Sequence, residues 1–468
     1  MAITNANFNN VDYVKASGKR IITCSSDKLG GVSGVFNYRF LLEVMYGGTT
    51  LSYTFRPNNN DFGIININKV LQTFVESAPD VMSSDTVPAL DTSGSTVTDF
   101  KQNIHTMPTQ VGGTSALKYF SFLNGKTITC KLFDFYGATA DAVPTKQTAG
   151  SVEGKLVVIG GVSKQSDLIN VDYGKYKLVD NKAIFLNNNY DFDGVRYNIN
   201  VALSDWGTIS FFNKNTEVNN SQNAKSLKVE YFNSSGASLV SFVITDVISD
   251  SGASLPISAV GIYPANLEKH PTAGQKPSNN STLAYYDVIA VDNSSGVKSD
   301  IFRFNIVTPC EKYDRQRFAF INSFGVWEYI AFDELRTDNL SSKPTYLKGS
   351  ILNYDEDYTD KFTANGVAYR EKAYVPEVAH RGEKIVATNY SETFTINTGF
   401  LDNTDVEKIK DLFLSDKISY INADGSARAV ILETSSINAI NNINKHYEQV
   451  SYSLTFRYSV PTYNDIIF

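Results

Sequence analysis

Along most of the chain apolar and polar positions alternate with a period of two, the pattern of half-buried β-strands. Residues 35–46 (VFNYRFLLEVMY) form one long strand, Gly47-Gly48-Thr49-Thr50 its turn, and residues 51–56 the return, closing before Pro57. Residues 62–67 are a short strand. In 68–76 the period changes: Val70, Leu71, Phe74 and Val75 keep helical spacing, with Asn68 placed to cap the first turn. Residues 83–114 are rich in Ser, Thr, Asp and Gly and predict a long loop or inserted hairpin. Strands at 119–123 and 127–136 flank Asn124-Gly125, a type I′ hairpin signal.

A Gly- and Ala-rich stretch, 137–161, makes a weak boundary, with a strand at 155–159 inside it. Beyond it come short strands at 176–178, 183–186, 197–203, 208–212, 227–232, 239–245, 260–263, 284–292 and 302–307. Close spacing with Asn, Ser and Gly between them predicts a sandwich or barrel, not a parallel α/β sheet. Asn233-Ser234-Ser235-Gly236 and Asn293-Ser294-Ser295-Gly296 use one turn chemistry twice.

The densest aromatic run is 313–332, YDRQRFAFINSFGVWEYIAF. It predicts a strand at 317–322, a tight turn at Ser323-Phe324-Gly325 and a second strand at 326–332. Val326, Glu328, Ile330 and Phe332 fall on one face, Trp327, Tyr329 and Ala331 on the other. A hairpin with large side chains on both faces must meet protein on both, inside one domain or between domains or subunits. Phe318, Phe320, Phe324, Trp327 and Tyr329 are the interface candidates. In the last third, strands at 391–397, 417–421, 427–434 and 449–458 surround a helix at 404–415. Thr404 and Glu407 fit a capping box there, and Val406, Ile409, Leu412 and Phe413 make one apolar stripe. Glu407, Lys408, Lys410 and Asp411 take the opposite side. A sheet packed by one helix follows.

The predicted fold is therefore mainly β, a multi-domain sandwich or barrel architecture with a few short helices, divided at 1–162, 163–310 and 311–468. A length of 468 residues agrees with two to four domains. With 27 Tyr and 29 Phe against 19% charged residues, the surface suits subunit contacts. A net charge of −7 argues against a nucleic-acid partner. Cys24, Cys130 and Cys310 lie too far apart for a metal or disulfide framework and read as free, mostly buried thiols. Neither a secretory signal nor an apolar membrane span is present, which describes a protein made in a cytosol and kept there or released by lysis.

Chemistry-bearing motifs are sparse. His105, His270, His380 and His446 sit apart, without carboxylates or cysteines at ligand spacing, and read as surface or loop residues. No nucleophile elbow, Walker loop or H-E-x-x-H occurs. The acidic clusters at 354–360 and 191–194 offer oxygen ligands of the kind Ca²⁺ takes, but neither fits an EF-hand, and a solvated turn explains each. No catalytic, cofactor or metal residue is assigned, and no cofactor is expected.

Four landmarks stand in one order: FRPNNNDFGIININKVLQTF (55–74), VGIYPANL (260–267), RFAFINSFGVWEYIAF (317–332) and TINTGFLDNTDVEKIKDLFLSDKISYI (395–421). In these the chain resembles, over nearly its full length, a family of virion structural proteins of tailed phages infecting Bacteroidetes. The resemblance implies a virion component of the tail or its host-facing tip, assembled in the host cytoplasm from successive β-domains. The expected function is then structural and non-enzymatic, with further copies and other virion proteins as partners. Binding of a host-surface glycan or receptor at a fibre tip is the alternative.

Overall fold

A computed structural model describes residues 3–7, 11–30, 32–75, 104–106, 120–121, 125–161, 173–176, 184–212, 226–244, 257–270, 272–292, 295–309, 312–348, 360–364, 367–370, 383–401, 403–436, 451–460 and 466–467. The chain is mainly β, with several sheets and short helices.

At the N-terminal end a five-stranded sheet runs Val11–Lys15, Thr145–Ile159, Gly125–Gly137, Phe36–Tyr46, Thr49–Phe55, with only the first pair parallel. A three-stranded sheet of Ile3–Ala6, Ile21–Ser26 and Gly63–Asn66 shares its core, as does the Asn68–Phe74 helix through Val70, Leu71 and Phe74. Asn68 is the first helical residue and not the cap; its N–H donates to Asn66 Oδ1 at 3.2 Å. The stretch read as a weak boundary carries the 15-residue strand Thr145–Ile159. Asn124, in the predicted hairpin turn, lies outside the described residues. Among the described residues Phe120–Ser121 pairs with Ile257–Gly261, and Gly125–Gly137 pairs with Thr145–Ile159 and, from Thr129 on, with Phe36–Tyr46.

The middle region holds the sheet Arg196–Val201, Ile301–Ile306, Leu283–Val291, Ser226–Asn233, Ser238–Ile244, again with only the first pair parallel. Opposite lies the smaller sheet Thr208–Phe212, Ile257–Gly261, Phe120–Ser121. Phe211, Tyr231, Tyr286, Phe302 and Phe304 fill the core between them. Residues 184–186 form no strand, although Leu186 N–H donates to Ser210 O at 2.7 Å.

The C-terminal sheet runs Trp327–Phe332, Gln316–Ile321, Ile418–Ile421, Ala427–Leu432, Ser453–Tyr458, Glu383–Asn397, Arg336–Lys348. Period-two alternation sets its register: Phe394 lies opposite Phe456 and Ile396 opposite Leu454, all buried. The Asn403–Leu414 helix buries Val406, Ile409 and Leu412 on this sheet, as its stripe predicts. It begins two residues earlier than the capping box requires, so Thr404 lies inside the first turn. Asp411 is buried, not on the solvent side, because a distant segment covers that flank.

Two features cross the boundaries read at 162 and 310. The middle core takes Tyr13, Val157 and Ile159 from the N-terminal sheet and Ala319, Ile321, Val326, Trp327, Tyr329 and Ile421 from the C-terminal one. One loop design also occurs five times among the described residues. At Asn58, Asn233, Asp292, Asn322 and Asn422 the N–H of residue i bonds the carbonyl of i+4, and the carbonyl of i receives the N–H of i+3. Residue i+3 has positive φ in every copy: Asp61, Gly236, Ser295, Gly325 and Gly425. The side chain of residue i receives loop N–H groups in four of them, the Asx-turn chemistry that favours Asn and Asp. The two Asn-Ser-Ser-Gly segments are thus out of step by one residue: the loop starts at Asn233 in one and at Asp292 in the other.

Candidate functional site

The hairpin Gln316–Ile321/Trp327–Phe332 is a wall between two cores. Ala319, Ile321, Trp327 and Tyr329 face the middle core; Phe318, Phe320, Ile330 and Phe332 face the core under the helix. Both faces meet protein, and that protein is this chain. Among the interface candidates, Phe318, Phe320, Trp327 and Tyr329 are each at most 6% exposed, so they keep no surface for a neighbouring subunit. The contact they make is internal, because period-two alternation sends large residues to both sides of a strand that has a core on each. Phe324, in the loop, is partly buried; Tyr173 and Tyr176 meet it edge-on, and Lys15 Nζ lies 4.9 Å from its ring centre.

Segment 186–190 is strapped across this wall by side-chain hydrogen bonds. Asn322 Nδ2 donates to Leu186 O at 2.9 Å. Asn187 Nδ2 donates to Thr208 O at 2.7 Å and Trp327 O at 3.1 Å. Asn188 takes a φ of 60°, and its N–H reaches the two oxygens of Glu328 at 3.2 and 3.0 Å. Tyr263 Oη donates to Asn188 Oδ1, and Tyr190 Oη to Asp411 Oδ2, each at 2.8 Å. Glu328 is fully buried, and burial pushes its carboxyl up to about 7, against the opposing pull of the Lys408 charge and the Asn188 N–H.

His105 lies on the other face of the wall. Its Nδ1 sits 3.2 Å from Tyr329 Oη, and its ring meets Trp327 edge to face at 4.9 Å between centres. Burial pulls this imidazole down to about 3, so it stays neutral. His270 is buried as well, its Nδ1 accepting the Thr272 N–H at 3.1 Å. The surface reading of these two histidines is therefore corrected: a lone imidazole with a hydrogen-bond partner is also a good core residue. His380, His446 and Cys310 lie outside the described residues. Cys24 and Cys130 are buried free thiols, which burial pushes up to about 12.

At the same junction a cleft of about 340 Å³ opens between the Arg196–Val201 strand, the hairpin and the first turns of the Asn403–Leu414 helix. Arg315 and Arg317 share one carboxylate on its wall. Arg315 Nε and Nη2 and Arg317 Nε each reach Asp205 at 2.9 Å, Arg315 Nη1 bonds Asp333, and Arg317 Nη2 bonds Ser204. Asp205 Oδ2 also accepts the Ala202 N–H at 2.9 Å. All three charged side chains are nearly buried, so removing one partner would strand the other. Trp206 closes one end, with Lys269 Nζ 4.5 Å above its ring.

Among the described residues, the cleft lining contains no Ser, Cys or His. Among the described residues, no group of three or more His, Cys, Asp or Glu is placed to hold a metal ion. In the 191–194 cluster, Asp193 accepts the N–H groups of Val195 and Arg196 at 2.8 and 2.9 Å, which holds its carboxyl below the usual range. Asp191 borders the cleft. The 354–360 cluster lies outside the described residues except for Asp360, which pairs with Arg370 in a small hairpin. No described helix is long and apolar enough to cross a membrane.

Sequence reading missed Asp205, Arg315, Arg317, Asn188 and the burial of Glu328. A usable signal existed: charged residues standing at inward positions of ring-rich strands need buried partners. Comparison with protein-family models and with curated proteins finds no match for this chain.

Proposed function

We propose that this chain is a non-enzymatic structural component of a tailed-phage virion, in the tail or its distal host-facing assembly, acting through contacts with other copies and other virion proteins. The order of landmarks at 55–74, 260–267, 317–332 and 395–421 supports the setting. One structural observation supports the mode of action. Arg336–Lys348 pairs along its whole length with Glu383–Asn397, but beyond Thr393 that ribbon gains, among the described residues, only the short strand Ile466–Ile467. At about 3.3 Å per residue the ribbon is roughly 43 Å long. Residues 337–343 are exposed without alternation, and Leu340, Tyr346 and Ile385 stand in solvent.

A narrow ribbon whose 337–343 strand is exposed on both faces is marginal alone, and among the described residues no strand pairs with the outer edge of Arg336–Lys348. Such an element is at home in an assembly, where a partner adds a strand or covers a face. A stable contact of this kind buries at least ~1,000 Å². Light scattering and cross-linking of the purified chain test the reading. Concentration-dependent oligomers that Leu340→Asp and Tyr346→Asp abolish, with unchanged monomer melting, are expected. A strict monomer that is also absent from purified virions would overturn it, as would robust degradation of host polysaccharide.

A further inference from the structure

The strand Thr49–Phe55 lacks the devices that keep sheet edges apart. It closes the N-terminal sheet beside Phe36–Tyr46, in an unbroken register from Tyr46 opposite Thr49 to Phe40 opposite Phe55. Among the described residues no strand pairs with its outer edge, and the chain folds back at the Phe55 end, where Pro57 bridges Gly63. Its seven residues, TTLSYTF, include no charge and no proline, and every one is exposed or half-exposed. Two other edges are guarded. Arg336–Lys348 carries Lys343 and Pro344, and the turn Ala273–Gln275 lies against the uncharged edge Ser238–Ile244. A regular, neutral edge rich in β-branched residues is a template for one more strand.

The order of residues says which strand fits. About Ser52 the segment is nearly its own reverse: Thr50-Leu51-Ser52-Tyr53-Thr54 has hydroxyls at its centre and ends and apolar side chains between. A two-fold axis through Ser52, perpendicular to the sheet, sets Thr50 opposite Thr54 of a second copy, Leu51 opposite Tyr53 and Ser52 opposite Ser52. On the exposed face these are hydroxyl pairs, which can bond each other across strands. On the other face Leu51 and Tyr53, half-buried against the N-terminal core, gain an aromatic–aliphatic contact each. No like charges meet in this register, and both copies offer the same patch, as a two-fold contact demands.

We propose that Thr49–Phe55 is a dimer edge, at which two copies of this chain pair antiparallel about Ser52 and join their N-terminal sheets into one. This goes beyond the assembly reading: it sets a second contact in a different region of the chain, and the ribbon carries the oligomers larger than this dimer.

Sedimentation velocity of the full chain over a concentration series reads the dimer. It should persist in the Leu340→Asp/Tyr346→Asp chain, which has lost the ribbon's oligomers. Thr50→Lys with Thr54→Lys sets lysine against lysine at both pairs and should raise the dimer dissociation constant about tenfold or more. Thr50→Lys with Thr54→Glu sets lysine against glutamate at the same places and should keep the dimer. Both variants change only exposed positions, so their thermal unfolding should match. Three outcomes would overturn the proposal: a monomer at every concentration, equal dimerisation of the two charge variants, or a dimer lost with the ribbon variants alone. The last of these would leave the ribbon reading standing without this edge.

Discussion

The hairpin is joined to the rest of the chain in two ways. At its loop the joint is steric. A Cβ on Gly325 would stand 2.5 Å from the carbonyl carbon of Gly160, and one on Gly161 would stand 2.5 Å from Gly325 N. Backbone lies on backbone, and Ser17 Oγ donates to Gly161 O at 2.7 Å beside it. Along its second strand the joint is polar and buried: Glu328 accepts from the Asn188 N–H and from Asn322 Nδ2, and Asn187 Nδ2 donates to Trp327 O. The first joint tolerates no side chain and is indifferent to pH. The second tolerates changes of shape that keep its donors and acceptors, but its stability follows a proton.

The largest expected effect isolates the steric joint. Gly325 and Gly236 occupy the same position of the same loop, with φ of 75° and 82°. A Cβ at 236 would meet only Tyr285 Oη, at 3.5 Å. Gly236→Ala should therefore cost the left-handed strain of an L-residue, about 1–2 kcal/mol, offset by about 0.5–1 kcal/mol of lost unfolded-chain freedom, a net of about 0.5–1 kcal/mol. Gly325→Ala adds a clash with backbone that has nowhere to go, for a total of about 2–5 kcal/mol. Urea melts of the two variants give the difference directly. Equal costs would mean that the close approach to Gly160 contributes nothing.

Next in size is the pH response of the polar joint. Glu328 ionises near 4.5 when unfolded, and burial raises it to about 7 in the fold. The folded state thus holds the proton more tightly. The stability this adds is complete below about pH 4.5 and is lost as pH rises through 7, amounting to roughly 3 kcal/mol. Glu328→Gln keeps the neutral shape and should abolish the loss, so the wild type should fall relative to the variant between pH 5 and pH 8. His105 works in the opposite sense, buried neutral and destabilising the fold as pH drops below its ordinary 6.5. It is common to both proteins and cancels in the difference. Parallel stability curves would show that Glu328 does not titrate in this window.

A smaller effect asks how far the polar joint extends. Tyr190 Oη donates to Asp411 on the helix, 221 residues away, and burial raises the phenol far enough to keep it a donor. Tyr190→Phe removes one charge-assisted bond from a buried carboxylate and should cost about 1.5–3 kcal/mol. Amide exchange should quicken on both sides of the contact, in 186–190 and in the helix. Faster exchange confined to one side would place the limit of the joint at Glu328.

What was legible in the sequence is what repeats locally. Alternation located the hairpin strands within a residue, and the 3.6-residue stripe placed Ile409 and Leu412 under the helix, where both are fully buried. The joints were not legible, because their partners are remote: Asn188 and Glu328 are 140 positions apart. Asp411 looked like a solvent residue on its own helix, and His105 like a loop residue in a polar stretch. In both cases a distant element supplies the cover.

The smallest expected effect returns to the loop that the steric joint uses. In the copy headed by Asp292, the left-handed position falls on Ser295, at φ 64°, and the glycine comes one residue later. Gly296 N–H donates to Asp292 Oδ1 at 2.7 Å, so the carboxylate, not a glycine, holds the turn in place. Ser295→Gly removes left-handed strain of about 1–2 kcal/mol but gives the unfolded chain extra freedom of about 0.5–1 kcal/mol. A net gain of about 0.5–1 kcal/mol is expected. The reciprocal Gly236→Ser should lose a similar amount, since its loop has the same hydrogen bonds around Asn233. Paired melts of the two variants measure the cost of φ alone, without any close approach. If Ser295→Gly destabilises, the Ser295 side chain supports this loop in a way that its backbone geometry does not convey, and the baseline for Gly325 must come from Gly236 only.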